Sequence, residues 1–402
     1  MQPGENLSPI DQLRALILED SALQDRLATL YVPEQFVAAA IAAGAARGIP
    51  VDDDMLHQAL KPDPLGLARW RGGDASNDGY PGRQWLPTAI VPTPQGAAIS
   101  WMHFAGKALH ESFFESSARQ AGGLPINRLV NKRSTLQSLI DTPAPDDALS
   151  PDGFIFHMSR CGSTLAAQMI AALPGSIVVS EAVPIDGAVQ LNHQIPGLPL
   201  DIHVRVLQAM VAAMGRNRSG DDRRYVIKLD AWHIKALPLF RAAFPDTPWV
   251  FMYRDPVEVM VSQKRQTGLM VVPGEMQPDT FATDDTDSTF AHGANVLGQI
   301  AQAAVDGMRL GGGILVNYNE MPDAVANRIL PHFGIDIDAA DRTAMQAATR
   351  HDVKDKQRAF APDSAGKRAE ATSDVLAVVE RYMAAPHAAL EALRLAEADR
   401  AD

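Results

Sequence analysis

Five short, strongly apolar segments between residues 154 and 318 constrain the fold of this chain more than any other feature. Each is five residues long, rich in Val, Ile, Phe and Tyr, and separated from the next by residues of helical pattern. Strands that are apolar on both faces occur in parallel sheets covered by helices on both sides. Residues 151–402 are therefore predicted to form an α/β domain. The five segments are FIFHM (154–158), SIVVS (176–180), YVIKL (225–229), WVFMY (249–253) and ILVNY (314–318).

The first 61 residues carry a helical pattern without strands. Ser8 followed by Pro9 is a favourable helix start, because the first helical N–H has no partner in the helix and proline lacks it. Apolar residues then recur three or four positions apart until Gly48-Ile49-Pro50, where the helical pattern ends. A last short helix is predicted after it, through Leu60. This pattern predicts a small all-helical domain of three or four short helices over residues 1–61.

Residues 62–150 lie between these regions and are predicted to form a linker and a mixed α+β lead-in segment. The run 62–84 is rich in Pro, Gly, Asp and Asn, which is typical of a long loop. Two β-like runs, TAIV and AAISWMHF, flank Pro92-Thr93-Pro94-Gln95-Gly96 and predict a hairpin, with a helix near 110–121. A Pro- and Asp-rich break at 141–153 marks the boundary before the α/β domain. A chain of 402 residues is long enough for two or three domains.

The composition excludes several classes of function. A formal net charge of −12 argues against general nucleic-acid binding, which requires a basic surface. The single cysteine, Cys161, excludes an internal disulfide and a zinc site built from cysteines. No apolar run approaches the roughly 20 residues of a membrane span, and the N-terminus lacks the features of a signal peptide. The sequence thus predicts a cytoplasmic protein that binds neither nucleic acid nor membranes.

The first predicted strand runs directly into a candidate anion-binding loop, Ser159-Arg160-Cys161-Gly162-Ser163-Thr164, after which a helix begins. Glycine lets the backbone turn tightly and approach an anion. The unpaired amides and the dipole at a helix start attract negative charge, and Arg160, Ser163 and Thr164 add side-chain donors. The loop is not a Walker motif, because Gly162 is followed by Ser-Thr without the lysine that an ATP-dependent enzyme would use.

A second candidate anion site follows the fourth predicted strand. Arg254 stands at the carboxyl end of that strand, where open α/β sheets bind ligands. Asp255-Pro256 is a favourable start for the next helix, and Ser262 lies two turns along it, eight residues after Arg254. An arginine binds phosphate with two parallel hydrogen bonds, and a serine hydroxyl adds a directional one.

Together these motifs resemble those of the P-loop sulfotransferase superfamily, more its bacterial branch than the animal enzymes, over roughly residues 150–370. In that family a loop like SRCGST, here residues 159–164, binds the 5′-phosphosulfate of the sulfuryl donor 3′-phosphoadenosine 5′-phosphosulfate (PAPS). An arginine and a serine eight residues apart, here Arg254 and Ser262, bind its 3′-phosphate. The resemblance implies a P-loop-type parallel sheet. It also implies metal-free sulfuryl transfer from PAPS to a hydroxyl or amine of a small-molecule or peptide acceptor.

The same resemblance implies catalytic residues. Ser180-Glu181 is similar to a segment of bacterial members in which the carboxylate often serves as general base. VIKLDAWH (226–233) is similar to a segment that carries a catalytic Lys and His; Lys228 keeps the lysine, but Asp230 stands where the histidine is expected. Glu181 is therefore the first candidate base, with Asp230 and His233 as alternatives.

Positive side chains complete the predicted site. Arg160 stands at the loop position that is lysine in many relatives, and it is expected to stabilise the leaving group together with Lys228. Lys367 and Arg368, in PDSAGKR (362–368), are expected to close over the donor. Residues 266–290 are expected to form the acceptor wall, which is partly apolar through residues such as Leu269 and Met270.

Residues 8–61 resemble the nitrogen-fixation-associated helical domain, best known from leader regions of ribosomally made peptide natural products. The resembling segments are LRALILEDSALQDRL and FVAAAIAAGAARGIPVDDDML. The resemblance implies that these helices dock a protein partner; a helical cap without a partner is the alternative. Two other functions also stay open: a P-loop kinase or nucleotide hydrolase, and a non-catalytic nucleotide-binding adaptor.

Overall fold

The computed structural model describes residues 7–62, 75–94, 96–268, 271–276, 280–282, 286, 288–349 and 364–401. The chain folds into two compact units. The first comprises Met1–Ala108, Phe114–Ala148 and Ala209–Asp221, and the second comprises Leu109–Phe113, Leu149–Gln208 and Asp222–Asp402. None of the described helices combines the length and the apolar character that crossing a lipid bilayer requires.

The first unit begins with four short helices. The side chains of Ser8, Asp20 and Asp52 cap the first, second and fourth of them by accepting backbone N–H groups. Leu13 and Phe36 are among the fully buried side chains of these helices. The resemblance of this region to a leader-type docking domain stays a prediction. The helices are α1 (Pro9–Glu19), α2 (Ser21–Ala28), α3 (Pro33–Ala45) and α4 (Asp53–Ala59).

A three-stranded antiparallel sheet and three short helices complete this unit. The predicted hairpin pairs in a register that runs from Trp85 opposite His103 to Thr93 opposite Gly96, and a third strand that was not predicted pairs with its second strand. The indole N–H of Trp85 donates to Gln24 over 2.9 Å, so the N-terminal helices and the hairpin share a core. The elements are β1 (Trp85–Thr93), β2 (Gly96–His103), α5 (Phe114–Gly122), α6 (Pro125–Leu129), β3 (Lys132–Thr135) and α7 (Leu136–Asp141).

The second unit is an α/β domain with a parallel sheet, as the strand pattern predicts. Its five strands pair in parallel in the order β5-β6-β4-β7-β8, and each begins within one residue of its predicted position. Every residue of β4, β6 and β7 is buried, because helices cover both faces of the sheet. The strands are β4 (Gly153–His157), β5 (Ser176–Ser180), β6 (Arg224–Lys228), β7 (Trp249–Tyr253) and β8 (Gly313–Asn317).

Helices connect these strands and flank the sheet. Short 3-10 helices cover Ala231–Ala236, Met308–Leu310 and Tyr318–Glu320, and a π-helical turn covers Val325–Ile329. The α-helices are α8 (Ser163–Ala171), α9 (Val183–Val189), α10 (Leu191–Gln194), α11 (Leu200–Met214), α12 (Leu237–Ala243), α13 (Pro256–Arg265), α14 (Thr289–Gly307), α15 (Leu330–His332), α16 (Ala339–Ala348), α17 (Ser364–Ala369), α18 (Ser373–Tyr382) and α19 (Ala384–Ala401).

Candidate functional site

The carboxyl ends of the parallel strands place most of the predicted site residues along one edge of the sheet. The loop 159–164 follows β4, Glu181 follows β5 directly, Lys228 ends β6, and Arg254 follows β7. Because β4 pairs with both β6 and β7, the loop lies between Lys228 and Arg254 along this edge. The strand order also reverses beside β4, and such switch points are where open α/β sheets bind ligands.

The loop after β4 has an unusual backbone. Ser159, Arg160 and Gly162 have φ angles of 73°, 54° and 83°, a region that costs a residue with a Cβ roughly 1–2 kcal/mol. Such strain is concentrated at ligand sites in proteins. Gly162 is the N-cap residue of α8 and offers no side chain to cap it. Gly162 therefore supplies no side-chain acceptor to the first amides of α8, the arrangement that an anion-binding helix start would have.

The side chains of this loop have different surroundings. Arg160 is half-buried, and its Nη2 donates to the main-chain carbonyl of Gln266 over 2.6 Å. Ser163 is buried at the start of α8, and Thr164 is half-buried. Cys161 is fully buried, and its thiol donates to the carbonyl of Met252 in β7 over 3.1 Å.

The thiol of Cys161 is not poised to react. Burial raises its pKa to about 11, and hydrogen bonds only partly offset that effect. Because the thiolate is the reactive form of cysteine, this side chain is inert near neutral pH. Its predicted part in anion binding is therefore limited to its backbone amide.

Lys228 and Glu181 form an ion pair at the carboxyl ends of β6 and β5, in which the Glu181 side chain is 22% exposed. The Lys228 side chain is fully buried, and its Nζ also lies 5.4 Å from the ring centroid of Phe113. Burial raises the pKa of Glu181, but the charge of Lys228 and a hydrogen bond from His157 outweigh it and bring the pKa to about 2. The predicted base is thus held ionised by the lysine that is predicted to stabilise the leaving group.

His157 supports both this pair and the anion loop. Its Nδ1 accepts the backbone N–H of Ser159 over 3.1 Å. Its Nε2 therefore carries the proton, and it lies 3.0 Å from the carbonyl oxygen of Leu229 and 3.4 Å from the Glu181 carboxylate. His157 and Phe113 were not recognised from the sequence. Phe113 lies far from the motifs along the chain. His157 lies within the FIFHM strand, where no sequence pattern marks it as a site residue.

The two alternative bases form a separate hydrogen-bonded group. Asp230 is the N-cap of the 3-10 helix Ala231–Ala236, and its N–H donates to Nδ1 of His233 over 3.1 Å. Nε2 of His233 lies 3.0 Å from a carboxylate oxygen of Asp186, a residue that was not predicted. Burial raises the pKa of Asp230 to about 6, although the nearby His233 opposes the change.

The same group has the residue types and the spacing of a possible metal site. It consists of Asp186, Asp230 and His233. Among the described residues, these three bring one ligand atom each within 4.8 Å of the others. A histidine ligand must offer a nitrogen lone pair to the metal. Here Nδ1 already accepts a backbone N–H and Nε2 faces a carboxylate, so hydrogen bonds account for the arrangement without an ion.

The second predicted anion site is built around Arg254, which is only 3% exposed. Its Nε donates to the Glu258 carboxylate over 2.6 Å, and its guanidinium carbon lies 3.9 Å from the ring centroid of Tyr318. The same ring lies beside the loop: a Cβ added to Gly162 would come within 3.0 Å of Cδ2 of Tyr318. The Tyr318 ring therefore lies beside both Arg254 and the loop around Gly162.

The remaining predicted residues lie on α13 and α17. Arg368, on α17, donates from Nε to Glu258 and from Nη2 to Asp255, over 3.0 Å in each case. Lys367 precedes it and is buried. Ser262 is half-buried and lies one turn after Glu258 on α13, so both residues occupy the same face of that helix.

A cavity of about 360 Å³ lies beside the Asp230–His233 turn, within the size range of small-molecule sites. Among the described residues of the predicted acceptor wall, Thr280 lines this cavity. Leu269, Met270 and positions 284, 285 and 287 of that wall lie outside the described residues. The lining consists of Val189, Asn192, His193, Leu200, His203, Trp232, Lys235, Ala236, Pro238, Leu239 and Thr280.

The chain matches no protein-family model and no curated protein sequence. It is similar to the solved sulfotransferase domain from the curacin biosynthetic pathway, with 10% identity over 58% of this chain and 98% of that chain and a TM-score of 0.39. A sulfotransferase from Mycobacterium avium shares 12% identity over 60% of this chain and 77% of its own, with a TM-score of 0.37. A sulfotransferase from Mycobacterium tuberculosis H37Rv shares 15% identity over 87% of this chain and 98% of its own chain, with a TM-score of 0.35.

Proposed function

We propose that the chain is a sulfotransferase that moves a sulfuryl group from PAPS to a hydroxyl or amine of a small-molecule or peptide acceptor. The supporting observation is that the Tyr318 ring lies beside both Arg254 and Gly162, which is consistent with two anion sites a short distance apart. A nucleotide with phosphates at its 3′ and 5′ positions would use both sites. ATP has no phosphate for the second site.

The residues at the carboxyl ends of β4, β5 and β6 suit a metal-free transfer. The acceptor oxygen or nitrogen attacks the donor sulfur, the bond from sulfur to the bridging oxygen breaks, and adenosine 3′,5′-bisphosphate leaves with the electron pair. Lys228, Arg160 and the loop amides would stabilise the charge that develops on the bridging oxygen. The acceptor proton passes to a carboxylate, for which we propose Glu181. As Lys228 turns toward the leaving group, Glu181 loses part of its stabilising charge and becomes more basic.

The pH dependence of the reaction should identify the base. The profile of kcat/KM reports the pKa values of the free enzyme. With Glu181 as base, whose pKa is about 2, the acid limb of the profile should be flat from about pH 7 to pH 4. With Asp230 as base, whose pKa is about 6, the rate should instead fall about tenfold per pH unit below pH 6. The measurement is transfer of radiolabelled sulfuryl from PAPS to 2-naphthol.

Nucleotide preference tests the proposed function before any natural acceptor is known. Adenosine 3′,5′-bisphosphate at 100 times its Kd should stabilise the protein by about 2.7 kcal/mol, which is about 5–10 °C in Tm for a domain of this size. ADP and ATP should give clearly smaller increases in Tm at equal concentration. An equal or larger shift with ATP and magnesium would favour the kinase or hydrolase. Bisphosphate binding without sulfuryl transfer to any acceptor would favour the adaptor.

A further inference from the structure

We propose that the cavity beside the Asp230–His233 turn binds a small ligand with an apolar body and a negatively charged group held by Lys235, and that this ligand is the sulfuryl acceptor. The inference rests on the proposed function and names the class of its substrate. The cavity has a volume of about 360 Å³. Just over half of its described lining residues are apolar, and the polar ones include Lys235 and two histidines but no carboxylate.

Two chain segments lead from the proposed reaction site to this cavity. Helix α9 begins two residues after Glu181, and its last residue lines the cavity. The 3-10 helix Ala231–Ala236 begins three residues after Lys228, and three of its residues line the cavity. Nε2 of His233 lies 3.0 Å from the Asp186 carboxylate and so joins the two segments. The cavity therefore borders the segments that leave the Glu181–Lys228 pair, as an acceptor site should.

The ammonium group of Lys235 is accessible to a ligand. Trp232 and Lys235 are three positions apart in a helix with three residues per turn, so they lie on one face of it. Lys235 is exposed, and its Nζ lies 4.7 Å from the ring centroid of Phe281. Partial exclusion of water lowers the pKa of Lys235, and no acidic group among the described residues offsets that change. A ligand anion would supply the missing negative charge.

Three acceptors that differ at one ring position separate charge from shape. 2-Naphthol has the ring and the hydroxyl, 6-hydroxy-2-naphthoate adds a carboxylate, and 6-hydroxy-2-naphthamide adds a neutral group of similar size. We expect KM for the carboxylate to be about five- to tenfold lower than KM for the amide, the effect of one ion pair that stays partly hydrated. The value of kcat should change little, because the added group is remote from the attacking hydroxyl. Calorimetry on the full chain without a donor should give the same ratio of Kd values.

Substitutions at Lys235 test whether this residue provides the preference. Lys235→Gln should remove the preference for the carboxylate and leave KM for the amide nearly unchanged, whereas Lys235→Arg keeps the charge and should keep the preference. Lys107→Gln is the matched control. It also removes a lysine whose Nζ lies near an aromatic ring, 5.1 Å from the ring centroid of Tyr31, but Lys107 is not among the residues that line the cavity. The control should bind the carboxylate and the amide like the wild type.

Three outcomes would overturn the inference: equal affinities for the carboxylate and the amide in the wild type, no measurable binding of the carboxylate, or a preference that survives Lys235→Gln. The last result would assign the anion to another group of the lining, such as His193. Binding that favours the carboxylate through Lys235 without sulfuryl transfer to any of the three compounds would contradict the proposed function and leave the cavity as a site for apolar anions. Transfer without a preference for the carboxylate would contradict only the inference.

Discussion

Replacing Lys228 with methionine is expected to lower sulfuryl transfer by at least about 100-fold, because one preorganised cation at a developing negative charge contributes that much or more. The same change should reduce the free energy of unfolding by about 3 kcal/mol or less, because the carboxylate that loses its partner is 22% exposed and therefore partly solvated. Transfer of radiolabelled sulfuryl to 2-naphthol measures the first effect, and denaturant unfolding at pH 7 measures the second.

The stability loss in Lys228→Met should depend on pH in a defined direction. In the wild type the pKa of Glu181 lies at about 2, below its ordinary value of 4.5. The stability from this pair is therefore present above the ordinary value and is lost as the pH falls toward 2. In the variant, burial without the lysine raises the pKa of Glu181, so that protonation favours the folded state. The stability difference between the two proteins should shrink as the pH is lowered from 7 to 4.

The double variant Lys228→Met, Glu181→Leu separates stability from catalysis. Replacing a buried ion pair by apolar residues of similar volume is often neutral or stabilising. The double variant should therefore recover most of the lost stability without recovering turnover. Restored turnover would show that neither charged group takes part in the reaction.

Substituting Gly162 with alanine is the second change for which we expect a large effect. At a φ of 83° an L-residue costs roughly 1–2 kcal/mol, and overpacking against the Tyr318 ring, 3.0 Å from the new Cβ, adds about 1–3 kcal/mol. We expect unfolding to become easier by about 2–5 kcal/mol. Because the same ring stacks on Arg254, the affinity for adenosine 3′,5′-bisphosphate should fall as well, as measured by calorimetry.

Gly197→Ala is the matched control for this substitution. Gly197 has a φ of 76°, and nothing lies within 4 Å of a Cβ added there. This variant should show only the backbone cost and should bind the bisphosphate like the wild type. Equal losses of stability and affinity in the two variants would mean that the contact between Gly162 and Tyr318 is unimportant.

The sequence predicted the strands of the α/β unit closely because their signal is local. A five-residue run such as SIVVS is apolar on both faces, which predicts a buried strand without knowledge of the strands beside it. The motifs after β4 and β7 were visible for the same reason, since a glycine turn or an Asp-Pro helix start lies within a few residues. In contrast, β3 has the sequence KRST, which carries no apolar pattern, and only its pairing with β2 makes it a strand.

The sequence by itself determined that the chain contains a parallel α/β unit, and it identified which strand ends carry glycine, arginine and acidic residues. The tertiary structure alone decided what those residues contact: Tyr318 between Gly162 and Arg254, Phe113 over Lys228, and Glu258 shared by two arginines. The physical reason is the distance along the chain over which each kind of interaction acts. Secondary structure and capping depend on neighbours within a few positions, whereas pKa values and anion sites depend on burial and on charges that folding brings together from distant parts of the chain.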